Sequence, residues 1–217
     1  MLDVAGFVPL SLCDYPGRVA AVVFTQGCNF RCPWCHNPRL IPRRDGDGAG
    51  AAEARRVLEL LAARRARLGG VVVSGGEPTV HADTLPPFLR EVKALGLPVK
   101  LDTNGSRPDV LRRLFAEGLV DYVAMDIKAP WPRYDALTGV PGCDVEAVKA
   151  SVALIAASGL PHRFRTTRVE PLLGPGDCEA LRAQVPHGSE HVWQAFRAPA
   201  AGLPSVCGAG GGACRGV

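Results

Sequence analysis

Val19-Ala20-Ala21-Val22-Val23-Phe24-Thr25-Gln26-Gly27-Cys28-Asn29-Phe30-Arg31-Cys32-Pro33-Trp34-Cys35 passes from an uncharged apolar segment into a loop bearing three thiols. Val19–Thr25 is rich in β-branched and aromatic side chains and reads as a buried strand. Cys28, Cys32 and Cys35 follow within one short loop. A structural zinc site wants four ligands, and an ordinary iron–sulfur cluster also takes four from the protein. Three thiols with no fourth ligand close by suggest a cluster with one iron left open, and an open metal position usually means chemistry.

Outward from this segment the chain alternates two patterns. Further strands are expected at Gly70–Ser74, Val99–Thr103, Tyr122–Ile127, Phe164–Val169 and His191–Phe196. Helices are expected between them at Ala52–Leu68, Pro86–Leu95, Pro108–Glu117, Val145–Ala157 and Asp177–Val185. In the first of these, Arg55, Arg56, Glu59 and Arg64 fall among Val57, Leu58, Leu60, Leu61 and Leu68, which leaves one wet face. Strand–helix alternation implies a parallel sheet with right-handed crossovers. Six such strands make an α/β fold, an open or partial (β/α)6 barrel, with its ligand site at the C-terminal strand ends.

The chain has 217 residues, 47% of them hydrophobic, which supports one packed domain. We place that domain at 1–197 and a glycine-, alanine- and proline-rich tail, expected to be poorly ordered, at 198–217. The net charge of +4 is modest and the arginines are dispersed, so composition does not point to nucleic acid. No apolar run approaches the roughly 20 residues of a membrane span. Met1-Leu2-Asp3-Val4 lacks a signal-peptide start. These features read as a cytoplasmic protein. Eight cysteines there favour metal or redox chemistry over disulfides.

Candidate site residues fall at the strand ends. Ser74-Gly75-Gly76-Glu77-Pro78 follows the second strand, Asp102-Thr103-Asn104-Gly105 closes the third, Asp126-Ile127-Lys128 closes the fourth, and Arg165-Thr166-Thr167-Arg168 lies on the fifth. Each also has a plainer reading. Gly75 and Gly76 suit a tight turn, and Glu77 a helix start. Asp102, Thr103 and Asn104 suit a turn, and Arg165 and Arg168 suit strand filling. Asp126 and Lys128 share one strand face and suit a solvated ion pair, yet charges facing a sheet interior are expensive unless used. Trp34 suits core packing, and Gln194 either faces the cavity or is a satisfied strand amide. Cys13, Cys143 and Cys178 read as isolated thiols, and Cys207 and Cys214 as tail residues.

The spacing Cys28-x3-Cys32-x2-Cys35, with Trp34 before the last cysteine, resembles the radical S-adenosylmethionine (SAM) signature. Ser74–Pro78 resembles that family's glycine–glycine–glutamate–proline motif. Ser11–Gly17, Val22–Cys28 and Cys35-His36-Asn37-Pro38 are similar to activases of glycyl-radical enzymes, above all those of anaerobic ribonucleoside-triphosphate reductase. The resemblance covers about residues 5–197 in motif order.

It implies a 4Fe–4S cluster on Cys28, Cys32 and Cys35, with SAM on the open iron. Reductive cleavage of SAM to methionine and a 5′-deoxyadenosyl radical would then set up hydrogen abstraction from a glycyl-radical partner enzyme. It further implies that Trp34 lies by the adenine and that Gly75 and Gly76 let the backbone approach the methionine group. Glu77 then organises the amino-group site, and Asp102, Thr103, Asn104, Asp126, Lys128 and Arg165 surround the rest of SAM. A flavodoxin or ferredoxin supplies the electron, and the open iron implies anaerobic work. Two alternatives share these residues: a small-molecule radical SAM enzyme such as a 7-carboxy-7-deazaguanine synthase, and a non-catalytic iron–sulfur or zinc module.

Overall fold

The computed structural model describes residues 1–43, 48–170 and 172–196. The expected tail at 198–217, with Cys207 and Cys214, lies outside them. Among the described residues seven strands form one sheet in chain order: β1 (Val4–Tyr15), β2 (Arg18–Thr25), β3 (Gly70–Gly75), β4 (Val99–Thr103), β5 (Tyr122–Asp126), β6 (His162–Arg168) and β7 (Glu190–Ala195). β2 to β7 are parallel, as the alternation predicts, and β1 adds antiparallel to β2. β1 and β7 do not pair, so the barrel is partial. The described α-helices between the strands are α1 (Ala49–Arg64), α2 (Leu85–Ala94), α3 (Pro108–Ala116), α4 (Tyr134–Thr138), α5 (Val145–Ala157) and α6 (Pro175–Gln184). Among the described residues no helix is long and apolar enough to cross a membrane.

Two elements go beyond the sequence expectation. β1 carries Gly6, Pro9 and Asp14, and register shifts interrupt its pairing. Leu10 and Leu12 on it stay about half or more exposed, so its hydrophobic pattern is that of an irregular edge. Its connection to β2 is Pro16-Gly17, with Gly17 at φ +70°, a two-residue turn between Tyr15 and Arg18. The other element, α4, has only five residues, too few to show a helical period.

Alternation along each parallel strand sends opposite chemistries to the two faces of the sheet. Outward, Val71, Val73, Leu101, Val123, Met125 and Phe164 meet helix residues such as Leu61, Phe88, Leu111, Ile155 and Leu181 in the main core. Inward, Tyr15, Ala20, Val22 and Val72 form a smaller cluster, with Tyr122 packed against it, that floors the half-barrel. The register then sets Val72 beside Lys100 and Asp126 beside Arg165, so the inner wall turns charged above the floor.

Candidate active site

One cavity of about 580 Å³ occupies the C-terminal end of the half-barrel, and residues of both edge strands line it: Cys13 and Asp14 from β1, Val192 and Gln194 from β7. The thirteen residues to which the resemblance gives a cluster or SAM role all line this cavity. They are Cys28, Cys32, Trp34, Cys35, Gly75, Gly76, Glu77, Asp102, Thr103, Asn104, Asp126, Lys128 and Arg165. Arg168 does not; it pairs with Glu170 at 2.7 Å on the exposed side. Cys143 and Cys178 also lie elsewhere, whereas Cys13 and Gln194 are on the wall.

The inner wall carries a chain of five charges. Lys100 pairs with Asp102, Arg165 reaches Asp102 at 3.3 Å and Asp126 at 2.7 Å, and Lys128 reaches Asp126 at 2.8 Å. Burial alone would raise the two carboxyls. The Arg165 guanidinium, with Lys100 at Asp102 and Lys128 at Asp126, outweighs it and holds both below the usual carboxylate range. Three cations against two anions leave a surplus positive charge facing the cavity, which suits a carboxylate-bearing ligand. Sequence reasoning missed Lys100. Its signal was the same one that drew attention to Asp126 and Lys128: a two-residue spacing on one strand face.

Glu77 sits in a fully buried polar nest, 1% exposed. Its Oε1 accepts from the Thr79 backbone N–H (3.0 Å), the Thr79 hydroxyl (2.6 Å) and the Thr103 hydroxyl (2.8 Å), and its Oε2 accepts from the Asn104 N–H (2.6 Å). Burial raises its pKa against these four donors. The carboxylate thus ties the end of β3 to the end of β4. Thr103 and Asn104, expected around the ligand, line the cavity while spending these groups on the strut.

Gly75 and Gly76 have a nearby steric reason. A Cβ on Gly76 would lie 2.1 Å from the Gly27 carbonyl oxygen, and one on Gly75 would lie 2.2 Å from the Thr25 nitrogen. Gly75 also holds φ +123°. The absence of side chains therefore lets the β3 loop pass directly beneath the cysteine loop. In that loop Gly27 N–H donates to the Leu40 carbonyl (2.7 Å) and Cys28 N–H to that of Ile41 (3.0 Å). Gln26 donates its side-chain amide to the carbonyls of Arg39 (3.0 Å) and Pro42 (2.6 Å). Arg31 folds back to donate to the carbonyls of Cys28 (2.7 Å) and Phe30 (3.0 Å). Trp34, 5% exposed, joins the main core, as its packing reading predicts, and also reaches the cavity wall. His36 stacks on Phe196 at 5.6 Å.

Burial pushes the Cys28 thiol up to about 12, and the nearby Glu77 carboxylate adds to that. Burial also raises Cys32, but there the Lys128 cation pulls the other way. Among the described residues no three His, Cys, Asp or Glu side chains are grouped to hold a single metal ion. The three thiols do fit a sulfur-ligated cluster by donor chemistry: they share one loop and one cavity, and the Phe30 N–H lies 3.4 Å from the Cys28 sulfur as a donor.

Residues 22–182 match the model of the radical SAM superfamily. A protein of Methanocaldococcus jannaschii named as a glycyl-radical enzyme activating enzyme is 40% identical over 131 residues, 60% of this chain and 52% of that protein. The pyruvate formate-lyase-activating enzyme of Listeria monocytogenes is 35% identical over 124 residues, 53% of this chain and 48% of its own. The chain thus spans about half the length of these curated relatives. In fold, it resembles coproporphyrinogen III oxidase of Escherichia coli, with a TM-score of 0.60 at 17% identity, covering 84% of this chain and 45% of that one. The chain belongs to the radical SAM superfamily, whose members use a 4Fe–4S cluster and S-adenosylmethionine.

Proposed function

We propose that the chain is an activase that generates the radical of a glycyl-radical enzyme, with an anaerobic ribonucleotide reductase as its partner. The observation that carries this reading is the shared cavity: three thiols, the five-charge wall and residues of both edge strands line one space. The names of the curated relatives support the activase class. A backbone segment of a protein substrate would reach this cavity between β1 and β7, the two ends of the strand order among the described residues.

Cys28, Cys32 and Cys35 would hold the cluster. Bound there with SAM, it supplies reductive cleavage of the sulfonium. The protein's own groups set the conditions. The thiols must lose their protons on loading, against the burial that keeps Cys28 protonated. The surplus cation of the wall would hold the carboxylate of SAM. The apolar floor of Tyr15, Val22 and Val72 closes the lower end against water.

The one-electron donor is an acidic carrier of the flavodoxin or ferredoxin kind. Between Tyr15 and Arg44 the chain carries no carboxylate, and the exposed Arg31, Arg39 and Arg43 flank the cysteine loop. Such a face attracts an acidic protein.

The test is anaerobic reconstitution followed by electron paramagnetic resonance (EPR), with and without SAM. A 4Fe–4S signal that shifts on SAM addition is expected, followed by a glycyl radical on the reductase of the same cell. SAM cleavage without any glycyl radical on that reductase or on other glycyl-radical enzymes of the cell would refute the activase reading. A cluster indifferent to SAM would refute the site as a whole.

A further inference from the structure

Cys28 is held from both sides by groups outside its own loop. On one side the Gly27 carbonyl accepts from the Glu77 N–H at 2.8 Å. On the other, Asn29 uses both ends of its side-chain amide. Its oxygen accepts from the Asn104 side-chain amide at 2.9 Å, and its nitrogen donates to the Ser106 hydroxyl at 2.8 Å. Ser106 closes the circuit by donating its backbone N–H to the Asn104 side-chain oxygen at 3.0 Å. Asn104 in turn donates its own backbone N–H to Glu77 at 2.6 Å.

The backbone of Asn29 belongs to the cysteine loop and that of Asn104 and Ser106 to the segment after β4. The ring therefore spans 75 residues of sequence to join two parts of one wall. Asn29 itself is exposed and packs no core, so burial does not explain its place. Both ends of an exposed asparagine's side-chain amide can bond to water, and a fixed pair of protein partners is what a positioning role requires.

We propose that Asn29, with Asn104 and Ser106, is a positioning device that fixes Cys28 against the Glu77 strut. It makes the placement of the first cluster thiol and the shape of the SAM cradle a single variable. The inference rests on the cluster reading above, but its first test does not need the cluster. Glu77 anchors the upstream side of Cys28 through the backbone, which no side-chain substitution removes. Asn29 is the anchor that substitution can release.

The experiment measures alkylation of the cluster-free protein by iodoacetamide, read by mass spectrometry at each cysteine. Cys178 on α6, away from the cavity, is the internal reference. In Asn29→Ala the loop opens locally, and Cys28 is expected to react about tenfold faster relative to Cys178. Asn29→Asp is expected to restore protection, because its carboxylate accepts from both the Asn104 amide and the Ser106 hydroxyl. Adding Ser106→Ala to Asn29→Ala is expected to change nothing further, since the ring is already open. In the reconstituted protein, Asn29→Ala is expected to keep its iron content yet need about tenfold more SAM for the same EPR shift.

An unchanged Cys28 rate in Asn29→Ala overturns the proposal. So does a Cys178 rate that rises in step, because the asparagine would then act on general stability. If the wild type binds no cluster but Cys28 protection still tracks Asn29, the anchoring stands and the proposed function falls.

Discussion

Phe164 and Arg165 are neighbours on β6, yet they live in different chemical worlds. Phe164 is fully buried among helices on the outer face of the sheet. Arg165 points inward and grips two aspartates on the cavity wall. One strand thus serves two purposes with a period of two. Outer positions hold the fold together, and inner positions are released from that duty and free to carry charge.

The largest expected effect lies at the loop itself. Cys32→Ala should reduce bound iron after reconstitution to background and abolish SAM cleavage, while circular dichroism stays that of the wild type. Full iron content would contradict the ligand assignment.

Next comes the direct contrast on β6. Phe164→Ala should lower unfolding free energy by about 3–5 kcal/mol in urea titrations. Arg165→Met takes a shared cation from Asp102 and Asp126, but Lys100 and Lys128 stay paired with them beside the open cavity, so it should lower it less. The same variant should raise the SAM dissociation constant at least tenfold. Equal destabilisation by both would show that the inner face of β6 holds the fold together as the outer face does.

Acid titration separates the two faces by charge. Asp102 and Asp126 are depressed by cations on the inner wall. Their stabilisation is therefore complete above the unfolded carboxylate value of about 4 and is lost as pH falls below it toward their folded values. Urea midpoints should drop below pH 4, and Arg165→Met should flatten that dependence. A flattening produced equally by Phe164→Ala would detach the effect from the inner wall. Glu77 acts with the opposite sign, since its pKa is raised.

The smallest effect belongs to the outer surface of the cysteine loop. Arg39→Glu with Arg43→Glu should slow reduction by an acidic protein carrier severalfold, most at low salt, and leave dithionite-driven SAM cleavage unchanged. Equal slowing with dithionite would place these arginines in the site rather than at a docking face.

Much of this was legible in the chain. Five strand–helix alternations carried clear periods, and the α5 and β4 boundaries match the sequence expectation residue for residue. The hairpin strand β1 was hidden because its leucines face solvent, although Pro16-Gly17 was a readable turn. The cavity lining followed from motif order at strand ends. Lys100 was readable by its spacing from Asp102 and was overlooked. The Asn29–Asn104–Ser106 ring was not readable, because asparagine at a loop and asparagine before a glycine each have ordinary local explanations. Only folding brings them within 2.9 Å.

Gly76 carries a consequence for anyone who would transplant this chemistry. Any side chain there would strike the carbonyl just before the first cysteine. The cysteine loop cannot be grafted onto another barrel as a self-contained cassette. The smallest transferable part is a pair of adjacent parallel strands with both of their loops, moved together and in register.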